Sequence, residues 1–352
     1  MRAVVMSQPG GPEVLELQEI DRPQLVEPNQ ILVRLMAAGV NPIDTKLRER
    51  GLYFSDGLPA VLGCDGSGII EATGSGVTGF QPGDQVYYCY GGLGKRSGNS
   101  SVGNYAEYAV VDEAYVAIKP SGLGFDEAAA APLVLITAWE ALFDRARIQS
   151  GQKVFIHAGA GGVGHVAIQL AKIAGCDVAT TVSSEEKAVF VRELGADLVI
   201  NYKNEDVAEA LLAWSDGKGV DVAFDTVGGS AFNQLVPAMA HYSDMVTILQ
   251  LPDDADWKSL RLKNVRVSQE LMLSPMVYDL RQAAEHQADI LEQCAQFFDE
   301  NRLSVFVSDV LPLEDAAKAH SMIEAGGTTG KIVLDITGGV SGDAGEASNA
   351  DL

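Results

Sequence analysis

The sequence has few of the features that would indicate secretion, a membrane span or a metal cluster. Its 352 residues include four cysteines, which lie far apart and form no Cys-x-x-Cys pair: Cys64, Cys89, Cys176 and Cys294. This spacing disfavours disulfides and a structural zinc cluster, so we expect buried, reduced thiols. No run of about 18 apolar residues occurs, and the N-terminal MRAVVMSQPGG lacks the apolar core of a secretory signal. We expect a cytoplasmic protein with no membrane partner.

Basic residues are also scarce. The chain has 25 Lys and Arg against 48 Asp and Glu, a formal net charge of −23. A surface of this charge repels nucleic acid and anionic lipid, so we expect neither as a partner. An anionic ligand would therefore have to be held by local positive groups. The length and the 47% hydrophobic content suffice for two domains.

The pattern of the chain changes near Phe125. The first 120 residues or so combine Gly, Pro and short apolar runs, which is typical of irregular β structure. Strands and helices then alternate through KVFIHA, GVGHVAIQLAKIAG, DVATTV, EEKAVFVRELG and ADLVINY, with two further strands at VDVAFDTV and MVTIL. This alternation predicts an α/β fold with a parallel sheet and right-handed crossovers.

A glycine-rich turn follows the first of these strands. Gly159, Gly161 and Gly164 form a Gly-x-Gly-x-x-Gly pattern that opens a helix, which we expect to end at Gly175. The first glycine permits the tight turn, the second lets the backbone approach a pyrophosphate, and the third lets the helix pack closely on the strand. The pattern predicts dinucleotide binding.

The residues after the second strand favour NADP(H). The position where NAD-binding proteins carry an acidic residue falls near Ser183, and Lys187 lies one turn later. A hydroxyl and an ammonium suit a 2′-phosphate, which a carboxylate would repel. Two alternatives remain open here. Ser183 and Glu186 also form a capping-box pattern, and Glu185 is a possible partner for a ribose diol.

Several segments, in this order, resemble the medium-chain dehydrogenase/reductase superfamily. They are AAGVNPIDTKLRERG, VLGCDGSGIIEATGSGVTGFQPGDQVYY, NYAEYAVV, AAAAPLVLITAWEAL, HAGAGGVGHVAIQLAKIAG, LGADLVINY, FDTVGG and EAGGTTGKIVL, and they reach to about residue 336. In detail they are similar to its zinc-free quinone oxidoreductase branch, which includes zeta-crystallin. The resemblance implies a GroES-like, β-rich catalytic domain around a central Rossmann domain with a doubly wound parallel sheet.

The implied domain boundaries divide the chain into four parts. Residues 1–121 would form the first part of the GroES-like domain, and 122–268 the Rossmann NADP-binding domain. Residues 269–337 would return to the catalytic domain. Residues 338–352 have no aromatics and no periodicity, so we expect a disordered acidic tail.

The resemblance also indicates that zinc is absent. Where zinc-dependent relatives have a cysteine, a His-Glu pair and a second cysteine, this chain has Asn41, Cys64-Asp65 and Leu133. Catalytic zinc takes three protein ligands and an open position, so no metal is expected. The segment that replaces the four-cysteine loop, YGGLGKRSGNSSVGN, contains no cysteine. Cys64 is interpreted as an apolar filler or, alternatively, a reactive thiol, and Asp65 as a carboxylate that ties down its loop.

The same resemblance implies catalytic residues. It places Asn41, Asp44 and Tyr53 around the nicotinamide pocket, with a turn at Asn41-Pro42 and a helix N-cap at Asp44 as the structural alternatives. Some relatives have an aromatic residue in place of Lys46, which leaves the shape of the acceptor pocket open.

It implies cofactor contacts as well. These are Thr137 on the nicotinamide side, Gly161, Gly162 and Val163 at the pyrophosphate, Ser183, Lys187 and Tyr202 around the 2′-phosphate, the backbone centred on Leu249 at the carboxamide, and Lys331 from the closing strand. His165, after the third glycine, is expected on the helix surface or beside the cofactor.

The implied function is an NADPH-dependent, zinc-independent reductase of a quinone or an α,β-unsaturated carbonyl. An enoyl-thioester reductase is the alternative, with KLRER and GKR as candidate sites for a coenzyme A phosphate. A non-catalytic NADP-binding protein, structural or redox-sensing, is a third. The family also suggests a homodimer, for which NVRVSQ is a candidate edge strand.

Overall fold

The computed structural model describes residues 1–54, 57–94 and 103–338. The predicted disordered tail lies, from residue 339 onward, outside the described residues. So does the middle of the segment that replaces the four-cysteine loop, including the basic pair of GKR. In the part of the chain that is described, no helix is both long and apolar enough to cross a membrane.

The described residues form sixteen strands and eleven α-helices. The strands are β1 Arg2–Met6, β2 Leu15–Glu19, β3 Gln30–Val40, β4 Ala60–Val61, β5 Asp65–Thr73, β6 Gln85–Cys89, β7 Tyr108–Asp112, β8 Val116–Ile118, β9 Lys153–Ile156, β10 Asp177–Val182, β11 Leu198–Asn201, β12 Val220–Asp225, β13 Met239–Thr247, β14 Arg266–Gln269, β15 Val307–Pro312 and β16 Lys331–Asp335. The helices are α1 Pro42–Arg50, α2 Phe125–Ala130, α3 Pro132–Trp139, α4 Gly162–Ile173, α5 Glu185–Glu193, α6 Val207–Trp214, α7 Ser230–Leu235, α8 Trp257–Leu262, α9 Ser274–Tyr278, α10 Arg281–Asp299 and α11 Ala316–Ala325.

The predicted parallel sheet is present. Its six strands run in the order β11-β10-β9-β12-β13-β14, and every neighbouring pair is parallel. The order reverses direction between β9 and β12, which creates the crevice where such sheets bind dinucleotides. The segment NVRVSQ supplies β14, at one edge of the sheet.

The second large sheet joins the two ends of the chain. Seven strands, β15-β16-β3-β5-β6-β8 with β7 also paired to β3, combine early strands with the last two. The closing strand β16 pairs with β3 antiparallel, and this pairing places Lys331 near the end of β3. A third sheet, β2-β1-β4, lies beside it. This is the α/β architecture that the sequence predicts, while the residue limits of its domains stay a prediction.

The hydrophobic core has two described clusters. The larger runs through the seven-stranded sheet, α3, α4 and one face of the parallel sheet, and the smaller packs α6 and α7 on the opposite face. All four cysteines are buried and unpaired, as predicted. The large cluster spans both sheets, so the glycine turn and the end of β3 are fixed relative to each other.

Candidate cofactor and active site

The glycine turn joins β9 to α4 and leaves one side open. A Cβ on Gly159 would lie 2.2 Å from Thr180 Oγ1, and one on Gly164 would lie 2.3 Å from the carbonyl oxygen of Ala158. Gly161, the N-cap of α4, would meet only that carbonyl oxygen, at 3.2 Å. Gly159 and Gly164 therefore serve packing, and Gly161 keeps the approach to the helix N-terminus clear.

The first turn of α4 is suited to an anion. It begins at Gly162 and Val163, has no acidic residue, and presents backbone N–H groups whose dipoles favour negative charge. Gly175 follows the helix with a φ of +80°, as expected for a helix-ending glycine.

His165 is not on the helix surface, so that expectation is wrong. Its side chain is fully buried, with Nδ1 3.0 Å from the carbonyl oxygen of Gly161, while Nε2 lies 3.2 Å from the backbone N–H of Phe306 and accepts from it. Burial lowers the pKa of His165 to about 4, so the ring is neutral and Nδ1 is the donor. His165 thus ties the glycine turn to the segment before β15.

The N-cap of α5 is Ser184 rather than Ser183. Ser184 Oγ accepts from the backbone N–H of Lys187 at 3.3 Å, so the predicted capping box of Ser183 and Glu186 is wrong by one residue. Because β10 continues to Val182, Ser183 lies outside the helix. Within the described residues its hydroxyl makes no hydrogen bond, which leaves it available to a ligand.

Lys187 lies beside a cleft at the junction of the two large sheets. Its Nζ donates to the carbonyl oxygen of Gly327 at 2.7 Å, across a cleft of about 610 Å³ that Phe190 and Phe306 also line. Glu185, the alternative ribose partner, forms an exposed ion pair with Arg192 at 2.9 Å. Tyr202, the third predicted residue here, is 54% exposed at the end of β11.

Asp65 is the centre of a buried polar cluster. Its Oδ1 accepts from the backbone N–H of Leu133 and its Oδ2 from Asn41 Nδ2, both at 2.9 Å. It therefore ties its loop to the end of β3 and to the start of α3, as predicted for a loop-fixing carboxylate. Cys64 is buried in the same core.

Lys331 is the positive partner of this cluster. Its Nζ donates to Asn41 Oδ1, to the carbonyl oxygen of Val40 at 3.3 Å, and lies 3.7 Å from Asp65 Oδ2. Its Cδ passes 3.2 Å from where a Cβ of Gly162 would lie. The side chain therefore runs beneath the glycine turn, with its charge directed to Asn41 and Asp65. Burial lowers the pKa of Lys331 and raises that of Asp65, and their mutual attraction opposes both shifts.

This donor set does not fit a zinc ion. Leu133 contributes only a backbone N–H, Asn41 has its oxygen on the lysine ammonium, and Asp65 is engaged by three donors or cations. In the described ranges, no group of three or more His, Cys, Asp or Glu is arranged to hold a metal. The positive charge beside Asp65 is the ammonium group of Lys331.

Asp44 lies on the far side of Asn41 and is fully buried. It occupies the N3 position of α1, where Oδ2 accepts from the backbone N–H of Asn41 at 2.9 Å, so the N-cap is Asn41 and the alternative placement of Asp44 is wrong. Tyr105 also donates to Oδ2, at 3.0 Å, and lies 3.2 Å from His320 Nε2. Burial raises the pKa of Asp44 to about 7.

The residues predicted for the nicotinamide half lie on several elements. Thr137 is 5% exposed and donates to the carbonyl oxygen of Leu133 at 2.6 Å. The backbone N–H of Leu249 donates to Thr247 Oγ1 at 3.2 Å. Tyr53 is 43% exposed. The structure thus joins Asn41, Lys331 and the glycine turn directly, whereas Tyr53 makes no hydrogen bond to them within the described residues.

Sequence reasoning missed a carboxylate at the switch point of the parallel sheet. Asp225 ends β12 and accepts from His157 Nδ1 at 2.9 Å, from Thr247 Oγ1 at 2.8 Å and from the backbone N–H of Gly228 at 2.9 Å. Burial raises its pKa, yet the hydrogen bonds from His157 and Gly228 hold the pKa below its usual value. An acid at the end of VDVAFD, followed by a glycine turn, was the available signal.

Two family models match the chain. The family described as alcohol dehydrogenase GroES-like domain matches residues 27–121, and the one described as zinc-binding dehydrogenase matches residues 194–334. A quinone oxidoreductase of Pseudomonas aeruginosa is 34% identical over 332 residues, which cover 92% of this chain and 96% of that protein.

Solved structures show the same similarity. An NAD-dependent alcohol dehydrogenase is 32% identical with a TM-score of 0.84, over 96% of this chain and 100% of that one. The Escherichia coli quinone oxidoreductase in complex with NADPH is 29% identical with a TM-score of 0.82, over 96% and 100%. The matches span nearly the whole chain rather than one domain.

Proposed function

The chain belongs to the medium-chain dehydrogenase/reductase superfamily, in its quinone oxidoreductase branch, and from this membership we propose an NADPH-dependent, zinc-independent reductase of a quinone or an α,β-unsaturated carbonyl. That it is an NAD(P)-dependent oxidoreductase follows from the family. The finer assignment depends on one observation: Lys331, Asn41 and Asp65 bond to each other where zinc-dependent relatives hold their metal.

Residues on both sides of the crevice would hold the cofactor. The turn of Gly159, Gly161 and Gly164 and the first N–H groups of α4, at Gly162 and Val163, suit the pyrophosphate. Ser183, Lys187 and Tyr202 lie around the end of β10 and suit a 2′-phosphate. Similar proteins include one described as NAD-dependent and one in complex with NADPH, so the choice between the two cofactors needs a direct comparison of both.

The nicotinamide half would lie over β12 and β13, on the other side of the switch point. Thr137 on α3 and the backbone around Leu249 are the proposed contacts there. When bound, NADPH supplies a hydride. The chain's own groups orient the acceptor and keep water away from it.

Without a metal, the acceptor must already be electrophilic. A bound zinc ion would polarise a simple carbonyl, and an ammonium paired with Asp65 does not replace that Lewis acid. Quinones and conjugated enones delocalise the incoming charge themselves. Asn41 and Tyr53 are the proposed hydrogen-bond donors to the acceptor oxygen, and Asp44 supports Asn41 through its backbone N–H.

The enoyl-thioester alternative has less support. Of the basic run KLRER, Arg48 is buried and paired with Glu324 at 2.5 Å, and Arg50 lies 3.7 Å from Glu49 Oε2. Lys46 alone remains exposed without an ion-pair partner in the described ranges, which is little charge for a coenzyme A phosphate. A homodimer, a small-molecule acceptor and a cytoplasmic location complete the proposal.

The deciding experiment measures NADPH oxidation by chelator-treated protein, with a planar ortho-quinone as acceptor and NADH in parallel. We expect turnover with NADPH that chelation leaves unchanged. Loss of activity on chelation, restored by zinc, would overturn zinc independence, and equal turnover with NADH would overturn the cofactor preference. Tight NADPH binding without turnover on quinones or enones would favour the non-catalytic alternative.

A further inference from the structure

A second buried polar cluster lies apart from Asp65, between α3, β14 and α10. Its members are Glu140, Glu270 and Gln287, which are 8%, 4% and 1% exposed. Gln287 Nε2 donates to Glu140 Oε1 at 2.9 Å and to the carbonyl oxygen of Met272 at 2.7 Å. Gln287 Oε1 is buried and has no hydrogen-bond partner in the described residues. Neither the motifs nor the proposed mechanism uses these groups.

Gln287 holds the Glu140 carboxyl beside the backbone that follows Glu270, because one Nε2 donates both to Glu140 and to the carbonyl oxygen of Met272. A side-chain hydrogen bond to Glu270 and the negative charge of Glu270 both raise the pKa of Glu140. Two carboxylates repel, so such a contact requires a proton between them. Within the described residues, one cation compensates the pair: Arg145 Nε lies 2.8 Å from Glu270 Oε2, in an ion-pair contact without hydrogen-bond alignment. The buried charge is thus balanced when the pair carries one proton and one negative charge.

In the part of the chain that is described, the other charged groups around the pair add no net positive charge. Asp144, on the same turn as Arg145, is engaged by His286 Nε2 of α10 at 2.9 Å, and its charge further disfavours a second carboxylate. Burial, together with the contact to Glu270, raises the pKa of Glu140 to about 8. The proton is therefore bound at neutral pH and leaves in mildly alkaline solution.

Glu140 and Glu270 lie near the carboxyl ends of the parallel strands, where the nicotinamide half would bind. Glu270 directly follows β14, and its backbone N–H donates to the carbonyl oxygen of Thr247 at 2.9 Å, one residue before Ile248. The carboxyl ends of parallel strands are where such sheets bind ligands. Glu140 lies one turn after Thr137 and begins a π-helix, residues 140–145, a local form that is frequent at functional sites.

We propose that Glu140 and Glu270 share one proton, and that this proton holds α3 and the 270–272 backbone in the arrangement that accepts the nicotinamide half of the cofactor. The inference rests on the proposed cofactor site. The two glutamates are positioning residues, because they act through Thr137 and the strand ends rather than on the acceptor. Loss of the proton would leave two buried carboxylates against one arginine, and the strand end and the π-helix would move apart.

The direction of the pH dependence follows from the raised pKa. The folded chain keeps a proton that the unfolded chain releases near the usual pKa of 4.5. The stability it contributes is fully present below that value and is lost as the pH rises towards about 8. Cofactor affinity should fall once the pH exceeds the raised pKa of Glu140, by at most about tenfold per pH unit for one coupled proton.

The test is the Kd of NADPH, measured by fluorescence titration between pH 7 and pH 9, for the full chain and for Glu140→Gln. Glutamine donates to Glu270 as the protonated acid does and cannot titrate. We expect the wild-type Kd to rise about three- to tenfold over this range and the variant to keep its low Kd. Thermal melts of the same samples should show less alkaline loss of stability in the variant.

Glu270→Gln is the second variant, since it also removes the shared proton and protects the test against a folding failure of the first. Glu292→Gln, an exposed change on α10, is the matched control and should titrate like wild type. A wild-type Kd that is constant from pH 7 to pH 9, or a rise retained in both glutamine variants, would overturn the inference. Absence of NADPH binding at pH 7 would instead overturn the proposed cofactor.

Discussion

The Lys187 ammonium lies between a carbonyl oxygen of the chain and the proposed site of a 2′-phosphate. In this structure it donates to the carbonyl oxygen of Gly327, which links α5 to the loop before β16. It also lies one turn from Ser183, whose hydroxyl makes no hydrogen bond within the described residues because Ser184 instead caps the helix. A 2′-phosphate bound near Ser183 would compete with Gly327 for the same ammonium, so cofactor selectivity would be coupled to the contact across the cleft.

We predict that Lys187→Ala weakens NADPH binding and leaves NADH binding within about twofold. A hydrogen bond between charged groups contributes about 1.5–3 kcal/mol, or roughly tenfold to a hundredfold in Kd. Parallel titrations with both cofactors measure the difference. Lys172→Ala is the control, because its ammonium is already paired with Asp197 at 2.8 Å. An equal loss for NADH and NADPH would mean that only the contact to Gly327 had been removed.

In the glycine turn between β9 and α4, the three glycines differ in the space around them. Three glycines of one motif serve different needs: Gly159 and Gly164 have no room for a Cβ, whereas Gly161 faces an open approach. His165, one position after the motif, then anchors the turn to Phe306. The turn is therefore held rigidly before any ligand arrives, and backbone N–H groups positioned in this way lower the ordering cost of binding an anion.

We predict that Gly161→Ala mainly weakens cofactor binding, whereas Gly164→Ala mainly lowers the stability of the fold. The methyl group of the first should obstruct the pyrophosphate and raise the NADPH Kd by about tenfold, with little change in melting temperature. The second should lower the free energy of unfolding by about 1–3 kcal/mol, because its Cβ would lie 2.3 Å from a backbone oxygen. Melts and titrations on both variants separate the effects. Equal destabilisation by both would contradict the distinction.

At the scale of the whole molecule, β14 leaves one edge of the parallel sheet uncovered within the described chain. The backbone N–H of Glu270 donates to the carbonyl oxygen of Thr247, in β13. Because the N–H groups of successive residues in a strand point to opposite sides, the N–H of Gln269 points away from the sheet. An exposed edge strand can pair with a second copy across a two-fold axis. This arrangement fits the proposed homodimer, for which sequence alone had only the apolar run NVRVSQ.

We predict that the protein sediments at twice its monomer mass of 37.3 kDa and that Gln269→Pro shifts it towards the monomer. Proline removes the outward N–H without breaking the pairing to β13, and Gln269→Ala, which keeps that N–H, is the control. Sedimentation velocity at micromolar concentrations measures both. A monomeric wild type would contradict the dimer, and a dimeric proline variant would contradict this edge as its interface.

Local sequence patterns are sufficient to predict the parallel sheet and its glycine turn. The alternation of strands and helices predicts the parallel sheet, and the spacing of Gly159, Gly161 and Gly164 predicts the dinucleotide turn. The expected absence of zinc at Asn41, Cys64 and Leu133, in contrast, is implied only by the family resemblance. The strand–helix alternation and the glycine spacing each lie within a short window of sequence, where periodicity and turn chemistry act directly on the backbone.

Contacts between distant side chains, in contrast, depend on the packed fold. Glu140 and Gln287 are 147 residues apart, Tyr105 and His320 are 215 apart, and Asn41 and Lys331 are 290 apart. No window on the sequence contains both members of any of these pairs. His165 was placed on the surface for the same reason, since the segment that buries it begins about 140 residues later. Buried polar groups must find partners, and only the packed fold determines which partners are within reach.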